Sequence, residues 1–150
     1  MRRAEALEQI ERSMGRIGRA GSSVMAARRR ADRAGVDVSA PGMGILGVLE
    51  RGGPQRVSVV ARRAGMVGPL ASRELRRLQV QGYASRRADG SDGRAVVVAI
   101  TAKGRDAYRR LRAASVEAAS DALADWKASE LAELARLLAR MADDFGAARR

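Results

Sequence analysis

Cysteine and histidine are both absent from this sequence of 150 residues, and their absence excludes several classes of function. Without cysteine the chain has no disulfide, thiolate nucleophile, thiol redox sensor or cysteine-ligated zinc. Without histidine it lacks the commonest general base and the commonest transition-metal ligand. The remaining Asp, Glu, Lys and Ser residues form no catalytic spacing, and neither a Walker loop nor a GxGxxG motif is present. We therefore expect a protein that is not an enzyme and that binds no metal or cofactor.

Aromatic residues and long apolar runs are also scarce. Aromatic residues make up 3% of the chain, too few for a platform on which single-stranded bases stack. No apolar run approaches the roughly 18 residues of a transmembrane helix. Acidic residues at Glu5, Glu8 and Glu11 occupy the place where a secretory signal would be apolar. These features predict a cytoplasmic protein with no membrane partner.

Positive charge is what the sequence has in excess, with 29 Lys and Arg against 17 Asp and Glu and a net charge of +12. Such a charge favours nucleic acid first and an anionic membrane surface second. A genome rich in Arg, Ala and Gly codons would give similar totals, but it would spread the Arg residues evenly. Instead, residues 51–94 carry ten Arg against three acidic residues, a net +7 within 44 residues. This concentration favours a nucleic-acid-binding segment.

Helical periodicity dominates both ends of the chain. Residues 4–33 predict one long helix, although three interior glycines weaken it by about 1 kcal/mol each, so it needs packing support. Thr101 is expected to cap a helix over about 102–124, and a final helix follows over about 129–144. One apolar stripe lies on this last helix, at Leu131, Leu134, Leu138 and Met141. Periodicity does not decide whether the stripe packs within the chain or against a second copy.

The middle of the chain predicts three short helices. Ser39, Ala40 and Pro41 open the first, with proline near its first position, and Gly52 ends it. The second spans 58–64, with Ser58 as its cap and Gly65 in the following turn. The third runs from Pro69 to Gln81, with Gly68 as its N-cap. Two short helices joined by a glycine-containing turn are typical of a helix-turn-helix, whose second helix, here called the reader helix, lies in the major groove.

Extended periodicity follows the reader helix. Tyr83 to Ala88 and Ala95 to Ile100 predict two strands around a turn-forming loop at 89–94. A hairpin appended to a helix-turn-helix is a wing. The predicted fold class is therefore mainly α (α+β), a winged helix-turn-helix with long N- and C-terminal helices. We expect one domain over 1–150, with long helices at about 1–40 and 102–150 around a DNA-binding lobe at about 41–101.

Several strings in this order resemble the MarR family of winged-helix regulators, over about residues 5–145. The strings that carry the resemblance are Arg86-Arg87-Ala88-Asp89, Asp92-Gly93-Arg94-Ala95 and Ile100-Thr101-Ala102-Lys103-Gly104. They are similar to the family's wing motif, D-x-R followed by a strand and L-T-x-x-G. The resemblance implies that the long N- and C-terminal helices, at about 1–40 and 102–150, are dimerisation helices. The homodimer that it implies represses or activates at a palindromic operator and responds to a small effector. It also implies that Arg94 enters the minor groove while Asp92 orients it, and a narrow minor groove attracts such a guanidinium.

The chain departs from the family pattern in two places. Met66-Val67-Gly68-Pro69 stands where family members usually have Ser or Thr at the start of the reader helix, so a hydroxyl that could contact phosphate is missing. Lys127 stands where the family tends to place a Ser that caps the last helix. The first departure leaves open which residues contact bases.

The predicted DNA contacts come from the reader helix and the wing, and the alternative for each is a solvated surface. They are Gly68, Pro69, Ser72, Arg73, Arg76, Arg77, Arg86, Arg87, Asp92 and Arg94. Arg73 is expected to enter the groove, because base contacts come from the first turns of a reader helix. An effector pocket is expected between the dimerisation helices and the lobe. Its candidate residues are Met43, Leu46, Tyr108 and Trp126.

Two further function classes fit the same residues. An architectural DNA-binding protein without an effector would share the basic segment but have little sequence preference. A protein-interaction winged helix would use the basic face to bind an acidic partner. Selection of binding sites from random DNA distinguishes the regulator, which predicts a sharp inverted repeat, from both.

Overall fold

The computed structural model describes residues 2–89 and 92–147, with the side chains of residues 22, 89 and 92–95 outside that description. Seven helices and three strands form in this part of the chain. In order they are α1 (Arg3–Ser22), α2 (Val24–Ala34), α3 (Ala40–Gly52), β1 (Gln55–Arg56), α4 (Val57–Arg63), α5 (Gly68–Val80), β2 (Ala84–Asp89), β3 (Asp92–Ile100), α6 (Ala102–Ala122) and α7 (Ala128–Ala147). They divide into two compact units, Met1–Val116 and Glu117–Arg150. The mainly helical winged helix predicted from the sequence is confirmed.

The single helix predicted over residues 4–33 is wrong, because the chain leaves helical geometry at Ser23. The backbone of Ser23 is extended, with φ −60° and ψ 143°, and its hydroxyl accepts a hydrogen bond from the Ala26 N–H at 3.1 Å. Ser23 thus caps α2, as short polar side chains do at helix starts. Across the break, the Arg30 guanidinium donates to the Gly21 carbonyl at 2.9 Å.

Helix α3 begins where the sequence predicts. Ser39 is its N-cap, and the Ser39 hydroxyl accepts from the Gly42 N–H at 3.0 Å. The same hydroxyl donates to the buried carboxylate of Glu74 on α5, at 2.6 Å. One side chain therefore both starts α3 and joins it to α5.

Helices α4 and α5 form the predicted helix-turn-helix, and Gly65 adopts a left-handed φ of 65° in the turn between them. Two predicted caps are wrong. Arg56 rather than Ser58 is the N-cap of α4, and Val67 rather than Gly68 is the N-cap of α5. Both helices start one residue earlier than predicted, because the backbone turns into helix without a side-chain cap.

The two predicted strands of the wing form with different bounds, and a third strand joins them. Strand β2 starts at Ala84 rather than Tyr83, and both strands extend into the predicted loop, because β2 ends at Asp89 and β3 begins at Asp92. Strand β3 pairs with β2 and with β1, both antiparallel, so the sheet order is β1-β3-β2. Strand β1 was not predicted. It contains two residues, Gln55 and Arg56, which pair with Val98 and Val97. The buried Gln55 amide also donates to the Val48 carbonyl at 3.2 Å. The base of the wing is therefore attached to the end of α3.

The wing returns to helix α6 through Thr101 and Gly104. The Thr101 hydroxyl donates to the Gly82 carbonyl at 2.7 Å and accepts from the Gly104 N–H at 3.0 Å. A Cβ at Gly104 would overlap the Tyr83 carbonyl. Lys103 lies over the Tyr83 ring and donates to the Gln81 carbonyl at 2.8 Å. These contacts give a structural reason for the Thr-x-x-Gly pattern: it lets α6 start directly against the end of α5.

The core of the first unit lies among α3, α4, α5, α6 and β3. Its largest fully buried side chains are Ile45, Leu46, Leu49, Val60, Leu75, Leu78, Val98 and Leu111. Burying each such aliphatic side chain stabilises the fold by about 1.5–3 kcal/mol. Helix α5 is thereby fixed on one face, which leaves its opposite face available for contact.

The second unit contains the end of α6 and all of α7. Helix α7 starts after Lys127, whose backbone N–H donates to the Glu130 carboxylate at 2.8 Å. A hydrogen bond from Arg136 lowers the pKa of Glu133 below its ordinary value. No residue of α7 is buried, and Leu131, Leu137 and Leu138 are exposed. Of the predicted apolar stripe, Leu131 and Leu138 are therefore exposed, while Leu134 and Met141 are half-buried.

Candidate nucleic-acid interface

Helix α5, the reader helix of the sequence analysis, has one buried and one exposed face. Ala71, Glu74, Leu75 and Leu78 are buried. The opposite face, which we call the outer face, carries side chains at helical spacings of three and four residues. These are Pro69, Ser72, Arg73 and Arg76, of which Ser72 is half-buried and the others are exposed. The outer face can therefore approach a groove without disturbing the core.

Two guanidinium groups on the outer face have no partner among the described residues. Arg73 and Arg76 are both exposed, and within residues 2–89 and 92–147 neither makes a hydrogen bond or ion pair. An unpaired guanidinium keeps all five N–H donors available for phosphate or for the acceptor edge of a guanine. The structure thus brings together the two residues that the sequence places one turn apart.

Arg77, also a predicted DNA contact, has a partner within the chain. Its guanidinium lies 2.8 Å from a carboxylate oxygen of Asp37, in the segment between α2 and α3. The Gln81 amide donates to the Asp37 carbonyl at 2.7 Å and to its carboxylate at 3.0 Å. About half of the Arg77 side chain remains exposed (47%). Arg77 thus lies at the edge of the outer face, with its charge partly neutralised.

The start of α5 is exposed and lacks polar side chains. Gly68 and Pro69 are both exposed, as predicted DNA contacts must be. Val67, which was not among the predicted site residues, is the N-cap and is also exposed. The signal that could have found Val67 is its position directly before the Gly-Pro pair that opens the helix.

The wing contributes two described cations. Arg86 pairs across the sheet with Val98, and Arg87 pairs with Val97, so the two side chains lie on opposite faces of the strand. Both are exposed. Asp92 and Arg94 are part of strand β3, but the structure describes only their backbone and not their side chains. The predicted partnership of Asp92 with Arg94 therefore stays a prediction.

A groove of about 1110 Å³ lies beside α2, the segment leading to α3, and the edge of α5. Its walls are aliphatic, with charged groups of both signs. The lining residues are Val24, Ala27, Arg28, Ala31, Asp32, Gly35, Val36, Asp37, Val38, Ser39, Ala40, Pro41 and Arg77. Of the predicted effector residues, Leu46 is fully buried in the core, and Met43 and Tyr108 are packed against it. The fourth, Trp126, is about half exposed in the second unit.

The described residues contain neither a candidate membrane span nor a candidate metal cluster. No helix there is long and apolar enough to cross a membrane. No group of three or more acidic side chains there could hold a metal ion.

Comparisons with known proteins agree on one family. The model of the MarR family matches residues 36–95. A probable transcriptional regulator from Pseudomonas aeruginosa is 30% identical over 77% of this chain and 86% of its own, with a TM-score of 0.61. A MarR family protein from Bacillus stearothermophilus superposes with a TM-score of 0.81 over 97% and 99% of the two chains, at 13% identity. The PcaV transcriptional regulator from Streptomyces coelicolor, solved with its natural ligand, superposes with a TM-score of 0.55 over 95% of this chain and 93% of its own, at 20% identity. No curated protein sequence matches significantly.

Proposed function

The chain belongs to the MarR family of winged-helix transcriptional regulators, and from this we propose that it binds double-stranded DNA sequence-specifically as a homodimer. The observation that carries the proposal is the outer face of α5, where Arg73 and Arg76 are exposed and unpaired among the described residues. Residues 41–101 would form the DNA-binding lobe, and the helices at 1–40 and 102–150 would form the dimer. Members of this family act by binding rather than by catalysis, so we propose no enzymatic activity and a cytoplasmic location with the DNA.

The proposed dimer is supported by apolar side chains that one chain leaves uncovered. On α1 these are Leu7, Ile10, Met14 and Ile17, all exposed. On α7, Leu131 and Leu138 of the apolar stripe are exposed as well. Two-fold symmetry then requires an inverted repeat, with half-sites about 34–36 Å apart or a multiple of that distance.

Selection from random double-stranded DNA tests the proposal directly. The regulator predicts one inverted repeat, enriched over successive rounds. A featureless enrichment would instead favour an architectural DNA-binding protein, and no enrichment at all would favour a protein partner for the basic face.

Arg73→Ala should weaken operator binding by about 1–3 kcal/mol and relax the preference at one base pair. The reason is that Arg73 lies on the first turns of α5 and its donors have no partner among the described residues. Fluorescence anisotropy with the selected operator measures the change. Arg112→Ala is the matched control, because Arg112 is equally exposed but lies on α6. Equal losses in the two variants would argue against base contact by Arg73.

We further propose that the protein represses its target and that a small molecule relieves the repression by binding in the groove beside α2. The groove has aliphatic walls, two cations (Arg28 and Arg77) and two carboxylates (Asp32 and Asp37). We expect a lipophilic anion there, which would compete with Asp37 for Arg77. PcaV, a similar fold, was solved with its natural ligand. An effector must bind more tightly to the dimer conformation with one spacing of the reader helices than to the conformation with another. Equal affinity for both conformations would not shift the equilibrium between them. A screen that follows release of labelled operator tests this.

Asp37→Asn should tighten binding to random DNA and steepen its salt dependence by about one phosphate contact per subunit. The substitution removes the carboxylate that neutralises Arg77, while the fold should lose no more than about 1 kcal/mol, as for an exposed ion pair. Asp32→Asn makes the same charge change in the same groove, where no ion pair of Asp32 is found among the described residues. If both variants bind random DNA alike, Asp37 does not restrain Arg77.

A further inference from the structure

The reader helix begins with three residues whose side chains cannot form hydrogen bonds. Val67 has an extended backbone, with φ −70° and ψ 146° and no side-chain cap, and its side chain is 70% exposed. Gly68 and Pro69 follow and are exposed as well. A Cβ built at Gly68 would meet nothing within 4 Å. We call Val67, Gly68 and Pro69 the apolar tip.

The apolar tip continues directly into the outer face of α5. Pro69 lies on the same side of the helix as Ser72, Arg73 and Arg76, and the two Arg residues are exposed cations. Those cations can bind the phosphates on both sides of a DNA groove, which would place the apolar tip in the same groove. We therefore expect the exposed apolar surface of the tip to contact the edges of the bases.

We propose that the apolar tip recognises the C5-methyl group of a thymine in the major groove of each half-site, and that Val67 is the residue that determines this preference. The inference rests on the proposed function. It also rests on the side chains: none of the three has a donor or acceptor, and Pro69 also lacks a backbone N–H, so these side chains offer a base edge only apolar contact. Among the base edges exposed in the major groove, the thymine methyl is the apolar group.

The geometry of the helix also places this thymine relative to a guanine. Val67 and Arg73 are six residues apart, or about 9 Å at a helical rise of 1.5 Å per residue. A reader helix lies along the major groove and not along the DNA axis, so this distance covers only a few base pairs. If Arg73 contacts a guanine through its O6 and N7, the thymine lies within a few base pairs of that guanine, toward the start of α5.

Replacement of single thymines by deoxyuridine in the selected operator tests the inference, because it removes one methyl group and nothing else. At one position in each half-site, the dissociation constant measured by fluorescence anisotropy should rise by about fourfold, the value of one buried methylene-sized group. The other thymines should be insensitive.

Substitutions at Val67 then link the methyl group to the protein. In Val67→Ser, the ratio of the dissociation constant for the uracil operator to that for the thymine operator should fall close to one. In Val67→Thr, which keeps a methyl group, this ratio should stay at the wild-type value. Serine also provides the missing N-cap acceptor, so the melting temperature of Val67→Ser should not fall. Val80→Ala is the matched control, because Val80 is 87% exposed at the other end of the same helix, and its ratio should equal that of the wild type.

Two results overturn the inference: a wild-type operator in which no thymine is sensitive, or a ratio that is the same in Val67→Ser and Val80→Ala. Both are obtained only with a protein that has selected an operator, so they leave the proposed function intact. Failure to select any operator would instead contradict the proposed function itself.

Discussion

Replacing Leu138 with Glu should convert the protein from a dimer to a monomer in sedimentation velocity and lower its operator affinity by roughly 10²–10⁴-fold. Leu138 lies on the apolar stripe of α7, and 47% of the residue is exposed in the single chain. In the proposed dimer this side chain is covered, and an unpaired buried carboxylate is costly. The loss of affinity is large because a dimer binds its second half-site at a high effective concentration, which a monomer lacks.

Ala132→Glu provides the control for this experiment. Ala132 lies on the same helix but away from the stripe, and a Glu there is four residues before Arg136, a spacing that favours an ion pair. This variant should remain dimeric and bind the operator normally. A Leu138→Glu protein that still sediments as a dimer and binds like the wild type would contradict the proposed interface.

Gly104→Ala should lower the free energy of unfolding by about 1–3 kcal/mol, the usual cost of overpacking. Alanine is normally a better helix former than glycine, so helix propensity alone would predict that Gly104→Ala stabilises the protein. We expect the opposite. The reason is local: the added Cβ would overlap the Tyr83 carbonyl, which is backbone and has no freedom to move aside. Urea denaturation followed by circular dichroism measures the effect.

Replacing Gly44 with Ala should instead raise the free energy of unfolding. Gly44 lies within α3, and a Cβ there would make an ordinary contact at 3.5 Å with the terminal methyl of Met66. Gly44→Ala should therefore stabilise the protein by about 0.5–1 kcal/mol. If both variants are stabilised, the close approach of α6 to Tyr83 is not the reason for a glycine at position 104.

Features specified by neighbouring residues could be predicted from the sequence. The start of α3 depends on Ser39 and the proline two residues later, and its cap forms as expected. The turn at Gly65 and the end of the reader helix at Gly82 depend on glycines with positive φ. The wing strands follow from β-branched residues near Val98. Each of these signals acts over a few residues, so no tertiary contact is needed to recognise it.

Features specified by distant residues could not be predicted. Strand β1 has no strand-forming signal of its own and exists because Gln55 and Arg56 meet the edge of β3. The partner of Arg77 is Asp37, which belongs to a different segment of the chain. The break at Ser23 was missed for a different reason, since helical spacing continues on both sides of it. Only the cap, formed by the Ser23 hydroxyl, distinguishes two helices from one.

The features of the candidate site likewise fall into those that local sequence predicts and those that it does not. That Arg73 and Arg76 share an exposed face follows from helical periodicity alone, and the structure places them so. Which cations are already neutralised does not follow from periodicity, because it depends on the path of the chain between α2 and α3. Val67 was missed because an apolar residue before a helix is normally assigned to the core or to a staple.

The short β1 strand also bears on the order in which the molecule assembles. Helices α3, α4 and α5 are neighbours in sequence, so their mutual contacts close only short loops. The pairing of Gln55 with Val98 closes a loop that includes the whole helix-turn-helix, at a larger entropic cost. We therefore expect the three helices to associate first and the edge of the wing to join them last. In hydrogen exchange, the amides of β1 should then open before those in the middle of α3, without global unfolding.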